Sequence, residues 1–438
     1  MKAKNYRKEK VQLITLGCSK NLVDSEQLMT QLDHNEYHVE HNPDHSKLAD
    51  IIIINTCGFI DRAKEESIDT ILHYAALRKE GKISKLLVTG CLSHRYKDNL
   101  EVEIPEVDGY FGTMEMPTLL ARLNADYKYE LIGERLTSTP SHFAYLKISE
   151  GCNRTCSFCA IPLMRGKHVS VEIDQLVKQA QNFAKNGVKE LILIAQELTY
   201  YGLDLYKRRA LSELLDRLCE VEGIEWIRLH YSYPSKFPLD IIHTMNKQSK
   251  VCNYLDIPLQ HATDRMLSAM KRQINKKETV ELIQSIRQII PEISLRTTML
   301  VGFPGETEED FEELCEFIKE HKFDRLGVFQ YSHEEDTSAH DLIDSVSSEI
   351  KEYRAQRLMQ IQEDISYALN EKKRGKHYKV IIDRIEGEYY IGRTEGDSPE
   401  VDNEVLISAK QYVRIGDFVN VMIQDSTHFD LIGEVVLN

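Results

Sequence analysis

No apolar run in this 438-residue chain approaches the roughly 20 residues needed to cross a bilayer. The stretch "IIIINTCGFI" is too short and is interrupted by Asn55, so a membrane-spanning role is excluded. The opening reads poorly as an export signal: the basic "MKAKNYRKEK" leads to an apolar piece of about six residues before Cys18, shorter than the usual 7 to 15 or so. Positive charge is in deficit, with 55 Lys and Arg against 70 Asp and Glu, a formal net of −15. That balance argues against nonspecific attraction to polyphosphate and favours solubility or a basic partner. The nine cysteines are an odd number and several stand at metal-ligand spacing, which speaks against a disulfide framework and for a reduced cytoplasm. There are no sequence repeats and no low-complexity tracts.

What is present is a long alternation of apolar runs and amphipathic stretches, and at roughly 150 residues per domain the length suggests about three domains. In the first, placed at 8–125, the runs "VQLITLGC", "DIIIINTC" and "KLLVTGC" each end at a cysteine. If they are parallel strands of a doubly wound sheet, Cys18, Cys57 and Cys91 all lie just past carboxyl ends, where such sheets bind ligands. Gly17, Gly58 and Gly90 beside them would let backbone approach a bulky inorganic group. The competing reading is three core cysteines closing buried strands.

The second domain, 138–372, repeats the alternation with "HFAYLKISEG", "ELILIAQE", "EWIRLHYSY", "NYLDIPLQH", "ISLRTTMLVGF" and "DRLGVFQYS". Six strands with intervening helices predict a (β/α)6 partial barrel with its site at the carboxyl ends of the strands. A polar helix over about 345–372 follows, with Ile350, Leu358, Ile361, Ile365 and Leu369 at helical spacing, as a tether along the barrel. The third domain, 373–438, has short strand-like runs separated by Gly, Asp and Asn and reads as a small antiparallel β-barrel. The fold class is thus α/β with a β-barrel appended.

After the first strand of the second domain comes "ISEGCNRTCSFCAIP", with Cys152, Cys156 and Cys159 in CxxxCxxC spacing. A structural metal site is normally closed by four protein ligands, whereas a catalytic one keeps a position open. Three cysteines therefore point to an open metal site. Elsewhere, His34, His38, His41 and His45 are spaced like helical ligands, but Asn42-Pro43 breaks any common helix and the surroundings are polar, so they read as a solvated surface. Cys219, Cys252 and Cys315 read as core packing. In "VGFPGETEEDF" Thr307 is a candidate helix cap with Asp310 three residues on, and the stretch reads either as a tight connection or, at the carboxyl edge of a barrel strand, as lining of a nucleoside pocket; this is no Walker loop, because no Gly-Lys-Ser/Thr follows.

CxxxCxxC with Phe158 before its last cysteine, after the first strand of a partial barrel, resembles the radical S-adenosylmethionine signature. "GCSKNLVDSE", "NTCGFIDRAKEES", "VTGCL", "RGKHVS", "YLDIPLQH" and "VGFPGETEEDF" narrow the resemblance to the methylthiotransferases, across essentially the whole chain. The first and second of these look most like the RimO type, which methylthiolates an aspartate β-carbon in ribosomal protein S-twelve. The resemblance implies two 4Fe-4S clusters, one on Cys18, Cys57 and Cys91, the other on Cys152, Cys156 and Cys159 with an open iron for S-adenosylmethionine. It implies also a C-terminal TRAM barrel that helps hold the substrate, a reducing electron donor and a sulfur donor. Phe158, Gln196, Arg296 and Gly302 are the candidate contacts to S-adenosylmethionine, with structural hydrogen bonding as the competing role of Gln196 and Arg296. Ser19 stands where proline is usual in this type, and Val171 where arginine is common.

The rival within the family is methylthiolation of a tRNA adenosine. RNA binding gains from phosphate contacts and leaves a basic footprint. Residues 375–438 carry six Lys or Arg against twelve Asp or Glu, a net of −6, which should repel tRNA and steer a basic ribosomal protein, free or within the small subunit, toward the barrel. A noncatalytic iron-sulfur or zinc protein is the reading from another class, and it has no need of two three-cysteine sets with a nucleoside-sized barrel mouth.

Overall fold

A computed structural model describes residues 9–43, 48–131 and 133–436. The chain divides into two compact units. One comprises residues 1–139, 150–153 and 160–169, the other residues 140–149, 154–159 and 170–438.

The first unit is built on five parallel strands in the order His38–His41, Lys10–Thr15, Ile51–Thr56, Lys85–Gly90, Gly109–Tyr110. Strand Ile51–Thr56 is buried along its whole length, as a central strand covered on both faces must be. Helices Ser19–Asp33, Asp61–Lys79 and Cys91–Glu103 follow three of the strands. The first of them packs Leu28, Met29 and Leu32 with Val11, Leu13, Ile51 and Ile53, each such side chain contributing roughly 1.5–3 kcal/mol of burial. The order of strands reverses between Lys10–Thr15 and Ile51–Thr56, the switch point where doubly wound sheets open a crevice.

In the second unit six parallel strands run in sequential order: Phe143–Lys147, Glu190–Ile194, Trp226–Leu229, Val251–Asp256, Ser294–Val301 and Arg325–Gln330. The sheet is an open (β/α)6 barrel. Strand Val251–Asp256 starts before the expected run and takes in Cys252, which packs with Trp226, Tyr254 and Ile381. The polar helix spans Ser348–Glu371, with Leu358 and Ile365 buried and Ile361 and Leu369 packed on the core. Ile350, expected on the same stripe, is instead exposed, because it lies in the helix's first turn.

Two family motifs find their structural reason here. His261 of "YLDIPLQH" and Glu306 of "VGFPGETEEDF" meet at 3.1 Å in the interior, and Arg354 of the long helix closes the far carboxylate oxygen of Glu306 at 2.7 Å. Thr307 and Asp310 form a full reciprocal capping box on helix Glu308–His321.

The C-terminal barrel is closed by five strands, His377–Glu386, Tyr389–Thr394, Val405–Ser408, Leu431–Val435 and Phe418–Ser426, in that order around the ring. All neighbours are antiparallel except Val405–Ser408 with Leu431–Val435. A wholly antiparallel ring was expected, but an odd number of strands cannot alternate all the way round, so one parallel pair is obligatory.

The connection after Tyr389–Thr394 runs among the inward-facing polar side chains of the six-stranded sheet. Arg228 donates to Glu395 O at 2.6 Å, Tyr254 to Asp402 at 2.8 Å, and Arg325 pairs with Asp397. Ser398 Oγ lies 2.8 Å from His230 Nε2, and the Asp397, Ser398 and Asn403 side chains are buried. Pairing satisfies groups whose isolated burial would cost several kcal/mol.

Candidate functional site

Cys18, Cys57 and Cys91 follow three neighbouring strands of the first unit. Cys18 occupies the N-cap of Ser19–Asp33 yet makes no capping hydrogen bond, a position where Ser, Thr, Asp or Asn would be the structural choice. Cys91 opens Cys91–Glu103 behind Gly90, which has φ +100° and no side chain to cap with. A Cβ on Gly17 would lie 2.9 Å from the Cys57 sulfur, one on Gly58 2.8 Å from Leu92 Cα, and one on Gly90 2.5 Å from Thr56 O. These glycines are fixed by close approach around the thiols.

Asn21, fully buried, donates through Nδ2 to the carbonyls of Leu16 at 2.8 Å and Thr56 at 3.0 Å, the residues just ahead of Cys18 and Cys57. Ser67 brackets Cys57, accepting from its N–H at 3.0 Å and donating to its carbonyl at 2.9 Å. The motifs around Cys18 and Cys57 are therefore bracing for the cysteine loops. Ser19 is the first residue of its helix, where the N–H has no intrahelical partner, so Ser and Pro are nearly interchangeable there.

Arg165, the arginine of "RGKHVS", is buried. Its Nε donates to Cys91 Sγ at 3.3 Å, Nη1 to Asp24 at 2.6 Å and Glu150 at 3.2 Å, and Nη2 to Asn21. Burial pushes the Cys91 thiol up to about 12 and raises that of Cys57, while Arg165 opposes both. The neighbouring cysteines add to both shifts, so the three thiols lie within electrostatic reach of one another. Among the described residues no three His, Cys, Asp or Glu are set closely enough for a single metal ion. Three thiolates at strand ends around a glycine-cleared space instead suit a larger group, since a four-iron cluster is held by widely separated thiolates.

Cys152 also lies in the first unit, its N–H bonded to Gly166 O at 3.1 Å. Gly151 before it has φ +75°, and a Cβ there would fall 2.1 Å from Lys167 O.

Cys156 and Cys159 belong to the second unit, linked by Cys159 N–H to Cys156 O at 3.2 Å. Ser157 between them is pinned on three sides: its N–H donates to Met270 O at 3.1 Å, its Oγ to Ala269 O at 2.8 Å, and its carbonyl accepts from Ala339 N at 2.8 Å. Phe158 packs against the cluster of Met266, Met270, Leu300, Phe303, Tyr331 and Ala339. Arg272 Nη1 donates to Cys156 Sγ at 3.2 Å, and the Tyr233 hydroxyl lies 3.6 Å from the same sulfur. Arg154 is clamped between the rings of Tyr200 and Tyr233, 3.8 Å from each centroid, and pairs with Glu197 at 3.1 Å. A cavity of about 630 Å³ opens beside this loop, lined by Thr155, Lys271, Gln273 and Asn275 among others. The donors on Cys156 Sγ fit a sulfur that carries negative charge, as a cluster thiolate does.

Of the remaining candidates, Gln196 lies two residues past strand Glu190–Ile194. Arg296 Nη1 donates to Asp256 at 3.2 Å and Nε to Asp402 at 3.3 Å. Gly302 has φ +76°, packs on Lys351 and gives its N–H to Glu306. Val171 packs on the barrel core and its carbonyl accepts from Tyr201. His34 ends a helix while His38 and His41 lie on a strand, so they share no helix face; His45 lies outside the described residues. Sequence reasoning missed Arg154, Tyr233, Arg272 and the role of Arg165, because a side chain's approach to a sulfur across dozens of residues leaves no spacing signal.

The C-terminal charge also looks different in place. Asp383, Asp397 and Asp402 are turned inward onto Arg393, Arg325 and Arg296, so the barrel offers a partner less negative charge than its composition suggests.

Family models match three stretches: the radical SAM superfamily over residues 146–318, the uncharacterized protein family UPF0004 over 10–112, and the TRAM domain over 375–436. The ribosomal protein uS12 methylthiotransferase RimO of Cytophaga hutchinsonii is 59% identical over 437 residues, covering 100% of both chains. That of Flavobacterium psychrophilum is 58% identical over 99% of this chain and 100% of its own. That of Phocaeicola vulgatus is 52% identical over 98% and 100%. Among solved structures, the radical S-adenosylmethionine methyltransferase TsrM from Kitasatospora setae aligns with TM-score 0.55 at 14% identity, over 73% of this chain and 72% of that one. The cobalamin-dependent radical enzyme OxsB gives 0.54 at 12%, over 82% and 56%. At such identities these two speak for the fold alone.

Proposed function

The chain belongs to the RimO family of ribosomal protein uS12 methylthiotransferases, and from that premise we propose that it installs a methylthio group on the β-carbon of an aspartate in uS12 by radical S-adenosylmethionine chemistry. The observation that carries this reading is the kinship at 59% identity along the full length.

Cys18, Cys57 and Cys91 would hold one 4Fe-4S cluster and Cys152, Cys156 and Cys159 the other, the glycines at the first set keeping the cradle clear. When bound, the clusters and S-adenosylmethionine supply one-electron cleavage and a site for the sulfur to be transferred, chemistry no side chain provides. The chain's own residues do the holding. Ser157 and the Arg154 clamp fix the Cys156 loop against movement, Phe158 seats it on an apolar cluster, and the His261–Glu306–Arg354 chain fixes the loops after two barrel strands. Such rigidity is what aligning reactants within about an ångström requires. Gln196 stands past the carboxyl end of Glu190–Ile194 as a contact for the cosubstrate, and Gly302 just past the carboxyl end of Ser294–Val301. Arg296, held by Asp256 and Asp402, fits the structural hydrogen-bonding role better than a contact to the cosubstrate.

A low-potential electron donor and a sulfur source complete the reaction, in a reduced cytoplasm. The deciding measurement is the intact mass of uS12, with tRNA nucleosides analysed in parallel, from cells with and without this chain. Loss of one methylthio increment from uS12 alone is the expected result. Loss from a tRNA adenosine alone would overturn the substrate and leave the chemistry standing.

A further inference from the structure

Arg272 is 3% exposed, yet among the described residues it forms no ion pair. Its Nη1 donates to Cys156 Sγ at 3.2 Å, Nη2 to the Pro258 carbonyl at 2.5 Å, and Nε is buried without an acceptor. The guanidinium stacks on the Tyr233 ring, 4.2 Å from the centroid, and the Tyr233 hydroxyl returns to the Arg272 carbonyl at 2.8 Å. A buried, uncompensated cation is expensive, and arginine keeps its charge.

The backbone is strained to put it there. Lys271 and Gln273, on either side, both have positive φ, 54° and 57°. Left-handed non-glycine residues on both sides of one arginine are each costly, and such strain persists where it serves a site. The buried cation calls for negative charge at the Cys156 sulfur, and the backbone strain shows that the fold holds Arg272 in place at a local cost.

We propose that Arg272 is a positioning residue that acts through the Cys156 sulfur to raise the reduction potential of the cluster ligated there, easing entry of the electron that cleaves S-adenosylmethionine. The proposal rests on the cluster reading above. A hydrogen bond and a full positive charge at a ligating sulfur both favour the reduced, more negative cluster, and these are the levers by which proteins set such potentials.

The test is an anaerobic redox titration of the reconstituted full-length chain, without S-adenosylmethionine, followed by electron paramagnetic resonance with dithionite as reductant and viologen mediators. A Cys57→Ala background confines the signal to one cluster. Arg272→Met is expected to make one-electron reduction at least tenfold less favourable, a fall of about 59 mV. Arg272→Lys, which keeps the charge without the fork, should fall between. Iron and sulfide counts separate the two levels of inference: a parent chain that binds no iron overturns the cluster reading and this one with it. An intact cluster whose potential stays within twofold in Arg272→Met overturns the role of Arg272 alone, as would be seen if the guanidinium served only the cosubstrate carboxylate. If Arg272→Met loses its iron, Arg272→Lys carries the test, and an unshifted potential there, with Tyr233→Phe also unshifted, overturns the proposal.

Discussion

In each cysteine set a sulfur receives a hydrogen bond from a buried arginine, Cys91 from Arg165 and Cys156 from Arg272, but the two arginines are balanced differently. Arg165, on Cys91, is shared with Asp24 and Glu150, so its charge is spent locally. Arg272, on Cys156, meets besides that sulfur only a carbonyl and a tyrosine ring among the described residues. The same contact thus serves two ends. At Cys91 the arginine is a brace that ties the sulfur to two carboxylates which more than offset its charge, and at Cys156 no carboxylate among the described residues offsets it. Under the proposed function, in which one set holds the cluster that accepts an electron and the other the cluster that holds a sulfur, such a difference matches the two tasks.

The largest effect should come from removing ligands. Cys156→Ala is expected to abolish S-adenosylmethionine cleavage, read as loss of 5′-deoxyadenosine, whereas Cys57→Ala should retain cleavage and lose methylthiolation of uS12. Full methylthiolation by Cys57→Ala would erase the division of labour on which the comparison stands. Next in size is the brace. Arg165→Met leaves two carboxylates facing each other in a largely buried site and should cost about 3 kcal/mol in thermal unfolding of the iron-free chain. A loss below about 1 kcal/mol would mean that the network at Cys91 is no more than a surface pair.

Much of this was legible before any coordinates. Each parallel strand of the first unit that precedes one of the three cysteines carries a run of apolar residues, and CxxxCxxC with Phe158 carried the resemblance to the radical S-adenosylmethionine family that the family model matches. What stayed hidden involves partners far apart in the chain. Nothing in "SAMKRQIN" marks Arg272 as the neighbour of Cys156, 116 positions away, or marks the stretch after Thr394 as a partner of the six-stranded sheet. The acidic count of the C-terminal barrel was read as surface charge, although three of its aspartates are turned inward, since composition carries no record of which way a side chain faces. Ile350 fitted the apolar period and still fell in the exposed first turn of its helix.

Those inward carboxylates give the third prediction, and they extend the contrast between balanced and unbalanced charge to the second unit as a whole. Burial pushes the carboxyls of Glu190, Asp383 and Asp397 up, but the arginines beside them outweigh it and leave all three below the ordinary range. Groups so depressed contribute stability that is complete above the unfolded carboxylate values of about 4 and is lost as pH falls through the lower folded values. Asp402, which burial leaves raised, works in the opposite sense. The melting temperature should therefore fall on acidification below about pH 4, and Asp397→Asn should flatten that dependence while lowering stability at pH 7. An unchanged acid limb in Asp397→Asn would show that the buried pair with Arg325 does not couple to folding.

The smallest effect separates contact from charge at Cys156. Tyr233→Phe keeps the ring under Arg154 and Arg272 and deletes only the hydroxyl, which donates to the Arg272 carbonyl at 2.8 Å and stands 3.6 Å from the sulfur. A lost neutral hydrogen bond is worth about 1 kcal/mol of stability. The cluster potential should shift by less than in Arg272→Met, since no charge leaves and the contact to sulfur is long. If the two variants moved the potential equally, the orientation of the guanidinium by Tyr233 would matter as much as its charge, and Arg272 would act, as Arg165 does, as a brace.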